Sequence, residues 1–287
     1  MYYIEEADKP NLIEKKFNIV KLEGNKIIIP IDTKKEDKNV EIKNKEKNKE
    51  IRKETIISKK IEKILKKANS TKIILSKEVK KKKIIENKLY TLGYDIVDGK
   101  WIMKMLIPEI IEKIIEKEEL TKSELDIYIL INDTRDEIIE NIKILVEKYR
   151  NIYIITNHKE RFKKLEEKTF KNIGAPITIM NNKKRSLLKA KIIINIDYPN
   201  ELINQYNINQ QSIILDLYGE TKINKKSYNG KIIKEVEINK KRNEIFNINE
   251  KLYSQIELYE ALFYKKQPFK NVREKIKKDK VIVRKIK

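Results

Sequence analysis

The chain contains no cysteine, a single histidine (His158), and only six glycines and six prolines in 287 residues. Without cysteine there are no disulfides and no thiolate chemistry, and the expected compartment is the cytoplasm. A Cys/His zinc site needs more ligands than one histidine supplies, so only a carboxylate-held Mg²⁺ stays open, and no metal is expected. The glycines are Gly24, Gly93, Gly99, Gly174, Gly219 and Gly230. A phosphate-binding P-loop has four residues between its glycines and then Lys-Ser/Thr. Here Gly93 and Gly99 are separated by five residues and followed by Lys100-Trp101. There is no Gly-x-Ser-x-Gly, which removes the nucleophile elbow. No apolar run approaches the ~18 residues of a membrane helix. The first residues, Met-Tyr-Tyr-Ile-Glu-Glu-Ala-Asp, lack the basic and apolar regions of a secretory signal.

What is abundant is lysine. Lys and Arg total 66 against 44 Asp and Glu, a formal net charge of +22, the electrostatic footprint of a polyanion binder. Arginine, the preferred fork for phosphate, is confined to eight positions. Ile, Asn and Glu are plentiful as well, the composition of an AT-rich genome, which raises the pI without selection for nucleic acid. The expected consequence is weak, nonspecific, salt-sensitive attraction to polyanions. The run Lys80–Lys83 reads as a solvated helix face rather than a phosphate contact.

Residues 17–31 read as a hairpin around Glu23-Gly24-Asn25. Residues 32–54, charged and almost without apolar side chains, read as a flexible linker or at most a frayed solvated helix. Residues 55–125 read as a small α/β segment, with a strand at Lys72–Leu75, Ser76 capping a helix, a strand at Tyr94–Val97, and a helix or helix pair over Trp101–Lys117 broken before Pro108. Trp101, Met103 and Met105 read as packing residues. From Asp126 onward, apolar strands alternate with helices: strands at 126–131, 151–156, 177–180, 192–196 and 212–217, and helices at 135–149, 159–171, 184–189 and 201–206. This alternation predicts a doubly wound, Rossmann-like parallel sheet over 126–222, with the strands buried on both faces. The tail, 223–287, reads as a strand at 231–238, a helix at 249–264 and an edge strand at the end.

Three stretches of 126–222 resemble the cofactor domain of the shikimate dehydrogenase and glutamyl-tRNA reductase group. Ile155-Thr156-Asn157-His158, with Lys159 and Arg161 following, resembles the Asn-Arg-Thr signature placed against the NADP 2′-phosphate, with His158 in the arginine position. Ser186–Pro199 resembles the family's Ala-Asp-Leu-Ile-Ile-Asn-Ala-Thr-Pro strand, with Asn195 matching and Asp197 replacing threonine. Ser212–Thr221 resembles the Val-Asp-Leu-Tyr loop near the nicotinamide, with Asp216 and Tyr218 aligned. The resemblance implies NADP as the cofactor, held by Asn157, His158, Arg161, Asn195 and Asp197, with Arg135 of the preceding loop as a further candidate for an altered phosphate grip.

The residues between the first strand and its helix depart from that pattern. Asn132-Asp133-Thr134-Arg135-Asp136-Glu137 contains no glycine, although a dinucleotide pyrophosphate requires close backbone approach there. Thr134 and Glu137 form a plausible capping box, and three carboxylates stand where the pyrophosphate would lie. The family's substrate-site lysine and aspartate have no counterpart; Ile27–Ile31 is the nearest echo of the strand that introduces them. Asp197 and Asp216 read first as helix caps and second as a pair able to hold a metal or share a proton. The reading is therefore a Rossmann-like protein without a cofactor, non-catalytic or binding a small ligand or protein, with no membrane association. Two alternatives remain: an NADP-dependent oxidoreductase with an altered phosphate grip, and a lysine-driven binder of nucleic acid or an acidic partner.

Overall fold

The computed structural model describes residues 1–31, 43–68, 71–174, 176–181, 183–239, 249–263 and 267–287. The chain forms two compact units, one from Met1–Gly99 with Ile245–Tyr264 and the other from Lys100–Glu244 with Lys265–Lys287.

The first unit contains β1 (Tyr2–Glu6), α1 (Leu12–Phe17), β2 (Lys21–Glu23), β3 (Lys26–Ile29), α2 (Lys43–Lys67), β4 (Lys72–Leu75), α3 (Lys77–Lys81), α4 (Lys83–Thr91), β5 (Asp95–Ile96) and α10 (Gln255–Ala261). Its sheet runs β2-β3-β1-β4-β5. The hairpin expected at 17–31 is β2–β3, but it is not a separate element: β3 runs parallel to β1, and β1 parallel to β4. Of the charged stretch expected as a linker, residues 32–42 lie outside the described residues. Residues 43–54 are the first turns of α2, whose later Ile57, Ile61 and Leu65 pack on Ile4, Ile27 and Ile73. Helical spacing at 57, 61 and 65 thus anchors turns whose own composition could not order them. Ser76 caps α3 as expected, its hydroxyl accepting the Val79 N–H at 3.2 Å. The opposite face of the sheet buries Tyr3, Ile74 and Val97 against Tyr253, Leu258 and Ala261.

The second unit holds α5 (Lys100–Met105), α6 (Ile107–Lys117), β6 (Asp126–Leu130), α7 (Asp136–Lys148), β7 (Asn151–Thr156), α8 (Lys159–Ile173), β8 (Ile177–Asn181), β9 (Ile192–Asn195), α9 (Asn200–Ile203), β10 (Ile213–Asp216), β11 (Lys231–Ile233), β12 (Val236–Asn239), α11 (Phe269–Lys278) and β13 (Ile282–Ile286). Six strands lie in the order β11-β10-β9-β6-β7-β8, and every pairing among them is parallel. Counted from β6, the order across the sheet is sixth, fifth, fourth, first, second, third. This is the doubly wound Rossmann order, in which direction reverses between the first and fourth strands. The near-continuous apolar residues of β6 and β9 are explained by burial on both faces: Tyr128, Leu130 and Ile193 enter one core with Tyr198 and Tyr206. Ile129 and Ile194 face Ile138, Ile142 and Leu145 of α7 on the other side.

Three expectations are corrected. Residues 184–189 form turns rather than a helix. The strand at 231–238 is two strands, and the terminal strand β13 pairs antiparallel with β12 in a separate two-stranded sheet. The helix at 249–264 is shorter, a 3₁₀ turn at Glu250–Leu252 followed by α10, while α11 forms where no helix was expected.

Candidate functional site at the switch point

In an open α/β sheet, connections leave in opposite directions at the point where strand order reverses, and a crevice opens at the carboxyl ends of those strands. Here that point lies between β6 and β9. The loop after β6 begins at Ile131, and the loop after β9 carries Asp197. The Asp197 carboxylate lies on the main chain of the first loop. Its Oδ1 accepts the Asn132 N–H at 2.9 Å, and its Oδ2 accepts the Asn132 and Asp133 N–H groups at 3.0 and 2.7 Å. These amides open the turn into α7, where a Rossmann domain presents its backbone to a pyrophosphate. Burial pushes the Asp197 carboxyl above its ordinary range; the two amides and Lys104 oppose that shift, and the neighbouring Asp133 charge adds to it.

The rest of the loop is also internally engaged. The Asp133 carboxylate accepts the Arg135 N–H at 3.0 Å and the Arg135 Nε–H, and the guanidinium lies 3.6 Å from Glu137. Arg135 is the N-cap residue of α7, with no side-chain cap bond. The expected Thr134–Glu137 capping box is therefore not formed, because the helix starts one residue later than that box requires. Asn132 joins this loop to the next strand end. Its Oδ1 accepts the Asn157 N–H at 2.9 Å, and the Thr156 hydroxyl lies 3.4 Å away. The same hydroxyl accepts the His158 N–H at 3.0 Å. Asn157, His158 and Arg161 are exposed at the end of β7 and the first turn of α8.

Asn195 lies deeper. Fully buried, its Nδ2 offers two hydrogens among three acceptors in reach, the Tyr198 carbonyl at 3.0 Å, Asp216 Oδ1 at 3.2 Å and the Thr221 hydroxyl at 2.9 Å, and its Oδ1 accepts the Tyr198 N–H at 2.9 Å. Asp216, equally buried, accepts the Gly219 and Thr221 N–H groups at 3.0 and 2.8 Å. Tyr198 donates to the Ile155 carbonyl at 3.1 Å, and burial raises its phenol far above the ordinary value. This network locks the ends of β9 and β10. Asp216 turns its own loop instead of joining Asp197. Lys100 donates to the carbonyls of Asp216 and Lys234 at 3.0 and 2.7 Å.

The structure thus gathers Arg135, Asn157, His158 and Asp197 around Asn132, sets Arg161 one turn further along α8, and leaves Asn195 beneath them in the packing. Sequence reasoning missed Asn132 and Thr156, although both stand at the carboxyl end of a strand, where a short polar side chain bridges adjacent loops. Met103 and Met105 are buried and Trp101 is partly buried. Each lysine of the 80–83 run meets a carboxylate: Lys80 Glu257, Lys81 Glu78, Lys82 Glu50, and Lys83 Glu86. Among the described residues, no group of three or more His, Asp or Glu could hold a metal ion, and no helix is long and apolar enough to cross a membrane.

No family model matches the chain, and no curated protein does. Among solved structures, it is similar to L-tryptophan dehydrogenase from Nostoc punctiforme at 11% identity and a TM-score of 0.31, over 75% of this chain and 62% of that one. The chain therefore spans less than two thirds of that protein's length.

Proposed function

We propose that this chain is a Rossmann-like protein that binds a small polar ligand at its switch point and takes no dinucleotide there in the usual mode. The observation that carries this reading is the carboxylate of Asp197 on the Asn132 and Asp133 amides. An internal anion already occupies the donors that a pyrophosphate would need, and Asp133, Asp136 and Glu137 add like charge around it. Arg135 supplies one cation, drawn to Asp133 and Glu137. Exposed at the crest is His158, beside Asn157, a polar surface suited to hydrogen bonding with a small molecule.

The test is thermal unfolding with and without saturating NAD⁺, NADH, NADP⁺ and NADPH, beside a panel of small polar metabolites without phosphate. A ligand at a hundred times its dissociation constant adds about 2.7 kcal/mol, several degrees in a protein of this size. The expected result is no shift with any dinucleotide and a shift with a member of the panel that is lost in Asn157→Ala or His158→Ala. Stabilisation by NADP⁺ or NADPH that disappears in His158→Ala/Arg161→Ala would replace this reading with the oxidoreductase one.

A further inference from the structure

The C-terminal end of the second unit carries a large share of its positive charge. Residues 269–287, α11 and β13 with the turn between them, carry nine Lys and Arg against Glu274 and Asp279, a net +7 in 19 residues. Asp279 is buried and lies 3.5 Å from Lys275. Lys287 pairs with Glu237 of β12, and Arg273 is committed to Glu109 and the Met105 carbonyl, over the Phe269 ring. The six that remain, Lys270, Lys277, Lys278, Lys280, Arg284 and Lys285, are all exposed. None of them makes a direct ion pair among the described residues; the Glu237 carboxylate, paired with Lys287, also feels Lys285 and Arg284 at longer range. The contrast with Lys80–Lys83 is direct, since there each lysine meets a carboxylate.

We propose that the α11–β13 surface binds the phosphate backbone of double-stranded nucleic acid without reading its sequence. Three features select that partner. Five of the six cations are lysines, which act as point charges toward phosphate and are depleted at protein–protein interfaces. The one aromatic ring of the segment, Phe269, lies beneath the Arg273 guanidinium, so no stacking platform for unpaired bases is offered. The cations come from a helix and from an adjoining strand whose register slips at the β-bulge opposite Glu237 and Ile238. Arg284 lies between the paired residues Val283 and Lys285, and the extra residue leaves two successive cations, Arg284 and Lys285, exposed.

The partner is tested by fluorescence anisotropy of a labelled mixed-sequence DNA duplex, titrated with the full chain across a KCl series. Phosphate contacts by all six would give a slope of about −5 in log K against log[salt], at roughly −0.9 per contact. Lys277→Ala/Lys278→Ala/Lys285→Ala should make the slope shallower by roughly 3 and weaken binding at low salt. Lys66→Ala/Lys81→Ala/Lys83→Ala removes the same charge from ion-paired lysines of the first unit and should leave the slope unchanged. Equal losses in both triple variants would overturn the proposal, because net charge alone would then account for the binding. It would also be overturned by a polyglutamate competitor as effective as duplex, which would point to an acidic protein, by single-stranded DNA binding more tightly than duplex, or by no binding at low salt.

Discussion

Asp197 and Asp133 are both acidic, yet the carboxylate of one accepts the main-chain N–H of the other at 2.7 Å. Asp197 reaches across the switch point to the loop that opens α7, and the loop answers with two amides. Burial and the Asp133 charge work against this contact, while the amides and Lys104 sustain it. The internal carboxylate occupies the position of a bound anion.

Removing that carboxylate leaves two main-chain donors without their partner. Asp197→Ala is expected to cost about 1 kcal/mol, the lower end of the range for unsatisfied donors, because the two amides are only partly buried. Urea denaturation followed by circular dichroism measures it, and phosphate should restore part of the loss in the variant while leaving the wild type unchanged. A variant as stable as wild type would show that the amides find other partners.

The same carboxyl gives a pH dependence of definite sign. Its native pKa is raised above the unfolded value of about 3.9, so the native state holds the proton more tightly between those two values. The contribution of this group to stability is therefore full below the unfolded pKa and declines as pH rises through the native one. Asp197→Asn carries no such slope. The difference in midpoint between wild type and Asp197→Asn should move against the wild type as pH rises through that window, and a move in the opposite direction would contradict the assignment.

Asn195 is the central member of a closed network. Its amide serves Tyr198, Asp216 and Thr221, so Asn195→Leu strands several buried groups at once. The expected loss is about 3 kcal/mol or more. Asn195→Asp places a second carboxylate against Asp216 and should be at least as damaging. Chemical denaturation of both variants checks this, and a loss below about 1 kcal/mol would mean that the network relaxes around the change.

Gly219 sits at φ +96, and a Cβ there would stand 3.3 Å from Lys100 Cε. Gly219→Ala should cost about 1–2 kcal/mol from the left-handed backbone alone and should displace the Lys100 ammonium from the Asp216 and Lys234 carbonyls. Gly174, also left-handed but with open space around it, supplies the comparison. Equal losses at the two positions would mean that Lys100 yields without cost.

The strands β6 to β10 were legible because burial on both faces writes them as unbroken apolar runs, and their alternation with helices leaves few topologies. β1 was not legible. Its Glu5 and Glu6 break the apolar pattern of a strand, yet both are buried, Glu5 accepting the Tyr253 hydroxyl at 2.8 Å and Glu6 accepting the Ser76 hydroxyl. Those partners are distant in the chain, and local pattern carries no trace of them. α11 was hidden because only Val272 and Ile276 among its lysines are buried, a stripe too narrow to stand out. At the crest, the sequence singled out Asp197 as a strand-end carboxylate, but its contact lies 64 and 65 residues back along the chain. A helix cap after β9 was the local alternative; the three-dimensional partner was the turn after β6.

The most direct measurement of the central claim follows the amide resonances of Asn132 and Asp133 in a ¹H–¹⁵N correlation spectrum while NADP⁺ is added, and then across a pH series. With the Asp197 carboxylate on both amides, neither resonance should move with nucleotide, and both should titrate together with that carboxyl. Saturable shifts of these two resonances on addition of NADP⁺ would show that the amides are open to a pyrophosphate, and would contradict the account.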